Sequence, residues 1–452
     1  MNKCDNLSGK PLDKSLFKWS LYNILIKETD DIFFVYNTKS GNICSIPYGK
    51  YSEAAGNDFV TISDTETLLK SGFIVDKNVD EFNAMLKESS LFAERRDRSD
   101  IEVTIAPSLI CNMHCAYCFE NGRRYLLDDV VMSSETANAT IDYIQGIAKR
   151  EGVKKLCVAW FGGEPLLQYP LIVRMTQELL QRIRPEVTLN TKVITNGLLL
   201  SPKRVQELVA ECNLHSVQIS IDGLKDRYSS IRGVKGDCYE RVVNNIVLCS
   251  ETTHTRVRLN ATPDNLDELY EFVEMLEKIV VDKKNLSVRL SEVMDYSRSS
   301  SMKVFPAGSF RTAYRAFAKH LYSLGFPIDC YYTESFYPVG CKYFLHDNVA
   351  IDPKGRLYKC EHHFGESEYI IGDVFNGLRQ DIGPMHIYSN DRIDIRCKKC
   401  ELYPICKYAS CMDYRAFIGD DVNTCCCYTT QLECIMKDIE SNKSHLKIIK
   451  IE

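Results

Sequence analysis

Apolar and polar positions follow two different rhythms along this chain, and the change from one to the other divides it. Over residues 1–97 the apolar runs are short and rich in β-branched and aromatic residues. Residues 21–26 and 32–36 read as strands. Ser40-Gly41-Asn42, just before Ile43, reads as the turn of a small antiparallel sheet. Residues 65–70 read as a short helix stopped by Ser71-Gly72, with a strand starting at Phe73-Ile74-Val75. A longer helix is predicted over 80–96, ending in a charged boundary at 94–98. The order suits a small winged-helix-like module.

Over residues 98–304 brief apolar runs alternate with amphipathic stretches. The strand-like runs are 103–105, 156–161, 192–195, 216–220, 256–259 and 287–290, and helical periodicity marks 134–149, 171–184 and 266–280. Six strand–helix repeats predict an α/β fold with a parallel sheet, a partial (β/α)6 TIM-like barrel, whose active site belongs at the carboxyl ends of the strands. Over residues 305–437 periodicity fades and turn residues and cysteines take over, so this segment is expected to depend on metal for its fold. Residues 438–452 form a tail whose charged end, 443–452, is expected to fray.

Composition narrows the function. A chain of 452 residues exceeds one compact core. Its 45% hydrophobic content is that of an ordinary globular protein, and a net charge of −5 is too small to imply a nucleic-acid partner. No apolar run is long enough to span a membrane, and the first residues lack the apolar core of a signal peptide. The expected location is the cytoplasm, where clustered cysteines are metal ligands more often than disulfides.

Of 20 cysteines, three form the run Cys111-x3-Cys115-x2-Cys118 directly after the first barrel strand, and eleven fall between Cys330 and Cys434. Three thiolates on one loop hold three corners of a cubane iron–sulfur cluster and leave one iron open. The alternative is a zinc site with His114 or another residue as fourth ligand. With Tyr117 before the third cysteine, the run resembles the hallmark of the radical S-adenosylmethionine (radical SAM) superfamily. The resemblance covers the whole barrel. Gly162-Gly163-Glu164-Pro165 follows the second strand, where the family motif meets the methionine amine, and glycines permit close backbone approach. Asn196 ends the third strand, and Ser220 and Asp222 end the fourth, at positions that line the cofactor pocket in the family. Arg232 matches a basic contact near the methionyl carboxylate. The plain alternatives are an Asn-Gly turn at Asn196, a strand-to-helix turn at Ser220 and Asp222, and a solvated surface charge at Arg232.

The C-terminal pattern, Cys341 and Cys360 followed by Cys397-x2-Cys400-x5-Cys406-x4-Cys411 and Cys425-Cys426-Cys427, resembles the SPASM domain of radical SAM enzymes that modify peptides. That resemblance implies two auxiliary [4Fe–4S] clusters, three clusters in all. Cys341, Cys360 and Cys411 would bind the first, with Cys330 a candidate fourth ligand. Cys397, Cys400, Cys406 and one of Cys425, Cys426 and Cys427 would bind the second. The last spacing is four residues here and usually three in the family, which leaves Cys411 open; a structural zinc ribbon is the other reading. Cys157, Cys212, Cys238 and Cys249 fall in predicted core elements and are expected to be buried thiols, while Cys4 and Cys44 have no assigned role.

Enzymes of this type resemble one another in carrying a leader-peptide-recognition module that takes the leader as an added strand, which residues 1–97 would supply unless they merely cap the barrel. The resemblance then implies a maturase for a ribosomally synthesised precursor peptide. It would cleave S-adenosylmethionine to a 5′-deoxyadenosyl radical and form Cys sulfur-to-carbon thioethers. Electrons would come from a flavodoxin- or ferredoxin-type donor. The rivals are a carbon–carbon or carbon–oxygen crosslinking enzyme, an anaerobic sulfatase-maturing (formylglycine-forming) oxidase, and a zinc-stabilised binding protein.

Overall fold

The computed structural model describes residues 16–28, 31–47, 65–94, 98–120, 131–294, 302–306, 309–327, 345–379, 395–405 and 448–451. The N-terminal module begins with β1 (Phe17–Trp19), β2 (Asn23–Glu28), β3 (Ile32–Asn37) and β4 (Ile43–Pro47). It continues with α1 (Thr65–Lys70), β5 (Ile74–Asp76) and α2 (Glu81–Glu94). The strands β2, β3 and β4 form an antiparallel sheet, and β1 pairs with β5. Alternation drives the burial: Phe33, Val35, Cys44 and Ile46 point to one face and meet Leu68, Phe73 and Ile74. Buried Asn37 ties the module together, its Nδ2 donating to Asn23 Oδ1 (2.8 Å) and to the Gly72 carbonyl (2.9 Å). Burial leaves Cys44 a core thiol, pushed up to about 12.

Six parallel strands follow, in sequential order across one sheet: β6 (Asp100–Ile105), β7 (Lys155–Trp160), β8 (Thr188–Thr195), β9 (Leu214–Ile221), β10 (His254–Ala261) and β11 (Leu286–Glu292). The intervening helices are α3 (Ser134–Ala148), α4 (Tyr169–Arg182), α5 (Pro202–Cys212), α6 (Lys225–Arg232), α7 (Cys238–Thr252) and α8 (Leu266–Ile279). Local sequence sets their ends. Ser133 caps α3 by accepting from Thr136 N (3.0 Å), and Asn213 in the left-handed region closes α5. One strand face, including Val158, Val193, Ile219, Leu259 and Leu290, packs against the helices and forms the main core. The opposite, inner face is mostly polar, as an open partial barrel allows.

The third segment is joined to the barrel. Helix α9 (Phe310–Ser323) packs Phe310, Phe317 and Leu321 into the main core. Strand β12 (Val349–Ile351) joins the barrel sheet parallel to β6, and β13 (Arg356–Tyr358), β14 (Gly372–Asp373) and β15 (Gly377–Leu378) extend it. Ala350, Tyr358 and Phe364 form a second core with Ala106 and Leu109. This stretch packs on the barrel through apolar side chains, and its strands are too short to display a period in the sequence. The expected fraying of the tail is corrected. β16 (Ile448–Lys450) pairs parallel with β4, and Ile451, 4% exposed, sits in the N-terminal core.

Candidate functional site

The site is built where the loops after β6, β7, β8 and β9 converge. The cysteine loop is sewn to the end of α6 by its backbone: His114 N donates to Arg232 O (2.9 Å) and Ala116 N to Ile231 O (3.1 Å). Cys118 N donates to Cys115 O (3.1 Å), which closes a turn and brings the second and third cysteines together. Cys111, Cys115 and Cys118 are each half-buried. Burial pushes the Cys115 thiol up to about 12, with Arg232 acting against the rise and with Asp222, Cys118 and Cys111 adding to it. Cys115 thus lies within electrostatic reach of the other two sulfurs. Among the described residues no group of three or more His, Cys, Asp or Glu side chains converges as the ligands of a single metal ion would. His114, one candidate fourth donor of the zinc alternative, is exposed.

The Gly-Gly-Glu-Pro run buttresses this loop. Gly163 N donates to Ser108 O (3.2 Å) and Glu164 N to Ile110 O (2.9 Å). Gly162 has φ +114, and a Cβ there would strike the Ser108 carbonyl; one on Gly163 would lie 2.5 Å from the Leu109 carbonyl oxygen. The close approach that the glycines permit is therefore to the chain's own cysteine loop. Gly163→Ala is expected to lose about 1–3 kcal/mol by overpacking against backbone that cannot step aside. Gly146→Ala in α3, where nothing lies within 4 Å, is expected to gain about 0.5–1 kcal/mol. Urea unfolding of the two variants checks the contrast.

Glu164 is fully buried and satisfied. Its carboxylate accepts from Thr195 Oγ1 (2.7 Å), Asn196 N (2.8 Å) and Leu166 N (3.0 Å), joining the β7 loop to the end of β8. Burial raises its pKa, and those three hydrogen bonds oppose the rise. Pro165 opens the short turn that Glu164 caps. Asn196 then reaches the cysteine loop, with Nδ2 donating to Asn112 Oδ1 (2.8 Å) and lying 4.0 Å from Cys111 Sγ.

A second network centres on Asp222, which is 0% exposed. Its carboxylate accepts from Tyr117 OH (2.5 Å), from Asn260 Nδ2 (3.1 Å) and from Arg232 Nε. Arg232 is 3% exposed, so it is a buried ion-pair partner and no solvated surface charge. Its burial disfavours the guanidinium charge, and Asp222 more than offsets that, holding it cationic. Burial, then Asp222, keeps the Tyr117 phenol well above its ordinary range. Ser220 belongs to neither network: it stands on the inner face of β9, in register with Arg258.

Sequence reasoning missed Asn260, whose Nδ2 also donates to Tyr117 OH (2.8 Å), and Asn265, whose Nδ2 donates to Asp222 O (2.7 Å). A signal for Asn260 existed: like Asn196 and Asp222, it is a polar residue at the carboxyl end of a parallel strand.

The auxiliary cysteines are partly described. Cys360 follows β13 and packs beside Phe161 and Leu109, while His362 lies 4.4 Å, ring to ring, from Phe119. Buried Lys359 anchors that stretch by donating Nζ to the carbonyls of Leu345 (2.6 Å), His346 (2.9 Å) and Asn348 (3.0 Å). Cys397 and Cys400 share a turn, with Cys400 N donating to Cys397 O (3.2 Å). That loop rests on the N-terminal module. Tyr403 meets Phe82 at 5.1 Å, and Thr38 Oγ1 donates to Glu401 O (2.5 Å). Cys330, Cys341, Cys406, Cys411, Cys425, Cys426 and Cys427 lie outside the described residues, as does Cys4. Cys212 and Cys249 are buried thiols as expected, but Cys157 and Cys238 are only half-buried. Cys157 alternates onto the inner face and lines a cavity of about 540 Å³ at the amino-terminal ends of the strands. Cys238 begins α7, with Sγ donating to Lys235 O (3.0 Å).

Residues 105–276, which contain both networks and all three cysteines of the run, match the family model of the Radical SAM superfamily. GTP 3',8-cyclase of Clostridium perfringens (strain SM101 / Type A) is 30% identical over 203 residues, 43% of this chain and 55% of that protein. The chain spans about half the length of the curated relatives it matches. Among solved structures, native anSMEcpe with bound AdoMet and Cp18Cys peptide superposes with a TM-score of 0.56 at 16% identity, covering 76% of this chain and 99% of that one. Streptococcus suis SuiB bound to precursor peptide SuiA superposes with a TM-score of 0.51 at 16% identity, covering 88% of this chain and 96% of that one. These likenesses establish the shared fold alone, and the family match is what marks residues 105–276 as a radical SAM domain.

Proposed function

We propose that the protein matures a ribosomally synthesised peptide by forming Cys sulfur-to-carbon thioethers. The radical SAM domain implies a [4Fe–4S] cluster and S-adenosylmethionine. The donor set fits that cluster: three half-buried cysteines on one loop, braced from both sides by the Glu164 and Asp222 networks. Together the cluster and S-adenosylmethionine supply hydrogen-atom abstraction from an unactivated carbon. The chain's own part is positioning. Cys111, Cys115 and Cys118 would hold the cluster, Asn196 the end of β8 beside it, and Tyr117, Asp222 and Arg232 the opposite wall. Cys360 and the pair Cys397 and Cys400, with the cysteines outside the described residues, would hold two auxiliary clusters. A flavodoxin- or ferredoxin-type protein would supply electrons.

The observation that carries the peptide reading is the seat of the N-terminal strand–helix module. It contacts the Cys397–Cys400 loop directly through Thr38 and Phe82, so a peptide bound to its sheet would lie close to the auxiliary cysteines. The fold shared with a chain crystallised with its precursor peptide agrees with that reading.

Anaerobic reconstitution with iron and sulfide is expected to load about 12 irons per chain. With S-adenosylmethionine, a reductant and a cysteine-containing precursor, the product should lose two hydrogens and one alkylatable thiol per bridge, read by intact mass before and after thiol labelling. Hydrogen loss with every thiol still alkylatable would move the reading to a carbon–carbon or carbon–oxygen crosslink. Consumption of GTP without change in the peptide would move it to nucleotide chemistry.

A further inference from the structure

The turn between β1 and β2 carries a hydroxyl that the fold leaves unanswered. Tyr22 is 0% exposed, and its OH has no hydrogen-bond partner among the described residues. A buried, unpaired hydroxyl is costly, so an orphan of this kind points to a partner of another sort, such as an ion or a redox centre. The backbone holds the residue in place. Tyr22 N donates to Ser20 Oγ (3.2 Å), and Tyr22 O accepts from Thr38 N (2.9 Å). The neighbouring carboxylate, Glu81, is already served by Ser20 Oγ (2.6 Å) and Leu21 N (2.8 Å).

The surroundings supply an acceptor. Tyr22 forms a small core with Phe82 and Met85 of α2, and Cys397 and Tyr403 pack against that core. Cys397 and Cys400 share one turn, so both sulfurs stand on the loop that rests on this core. Burial, then Glu81, Tyr403, Asp80 and Cys400, holds the Tyr22 phenol well above its ordinary range. The proton therefore stays on the oxygen, and the Cys400 sulfur lies within electrostatic reach of it. A protonated phenol is a donor, and a thiolate that binds metal keeps lone pairs with which to accept.

We propose that Tyr22 donates its hydroxyl to the Cys400 thiolate when Cys397 and Cys400 hold an iron–sulfur cluster, so that the N-terminal module sets the reduction potential of that cluster. The inference rests on the auxiliary-cluster part of the peptide reading and adds to it a residue from outside the cysteine-rich segment. Tyr22 acts through the sulfur and is a positioning residue. Hydrogen bonds to cluster sulfurs favour the more negative, reduced state and so raise the potential.

The test is an anaerobic redox titration of the reconstituted full chain, followed by the electron paramagnetic resonance of the reduced clusters. It is run in the Cys118→Ala background, where the auxiliary clusters alone should report. Tyr22→Phe removes the hydroxyl and keeps the ring that packs on Phe82 and Met85. One auxiliary signal should then shift to lower potential. Its reduced-to-oxidised ratio at fixed potential should fall about tenfold, or ~59 mV for one electron, with iron per chain unchanged. Tyr239→Phe in α7 removes another buried hydroxyl that has no hydrogen-bond partner among the described residues, and it should shift neither signal. Unshifted potentials in Tyr22→Phe, or equal shifts in the two variants, overturn the inference and leave the auxiliary clusters standing. An absence of iron from the Cys118→Ala protein overturns it together with the auxiliary-cluster reading.

Discussion

Asp222→Ala is expected to cost about 3–5 kcal/mol of stability and to abolish productive S-adenosylmethionine binding. The side chain is 0% exposed and faces Arg232, itself 3% exposed, so removing the carboxylate strands a buried guanidinium. The Tyr117 hydroxyl and the Asn260 amide lose an acceptor in the same step. Urea unfolding reads the first loss and equilibrium binding of S-adenosylmethionine the second. The double variant Asp222→Leu, Arg232→Met separates the two effects. Replacing both partners of a buried pair by apolar groups is often close to neutral, so stability should largely return. Cofactor binding should not return, because Tyr117 still lacks its acceptor and the wall beside the cysteine loop has lost its charge. Recovery of both would make the pair a structural tie with no role in the site.

How much of this was legible in the sequence depends on the range of the interactions involved. The six parallel strands were readable because each is a buried apolar run followed by amphipathic helical periodicity, and both patterns are local. Five of the six predicted strand runs fall wholly inside observed strands, the sixth, 156–161, overruns β7 by one residue, and α1 spans the predicted residues 65–70. Arg232 was not readable as a buried residue. It ends a charged helix, Lys225–Arg232, whose sequence looks solvated, and only Asp222, ten residues earlier, makes its burial tolerable. The pairing of β16 with β4 joins residues some 400 positions apart through a three-residue strand, too short to show alternation. Cys157 was misjudged because a strand in a half-barrel has two buried-looking faces, and alternation alone does not say which one meets the helices. The cysteine pattern pointed to metal as the organiser of residues 305–437. In the described part, Tyr358 and Phe364 also pack against Ala106 and Leu109, a contact between distant residues that no local pattern announces.

Cys118→Ala is expected to reduce S-adenosylmethionine cleavage to the rate seen without enzyme, and the reconstituted protein should hold about four fewer irons per chain. Of the three cysteines in the run, Cys118 offers the cleanest test of ligation. Its backbone N–H, which closes the turn onto Cys115, is untouched by the substitution. Phe119, stacked at 6.4 Å on Phe161 and 4.4 Å from His362, keeps the loop against the β13 stretch whatever residue precedes it. The fold should therefore survive, and the loss should be confined to chemistry. Cys238→Ser is the matching control. That thiol is half-buried and donates to Lys235 O, a bond a hydroxyl also makes, so stability should stay within about 0.5 kcal/mol and cleavage should be unchanged. The measurements are 5′-deoxyadenosine formed under reducing conditions and iron per chain. If Cys118→Ala still cleaves the cofactor, ligation by this run is wrong. The Glu164 and Asp222 networks would then brace an empty turn, which leaves two fully buried carboxylates with no reason to be held there.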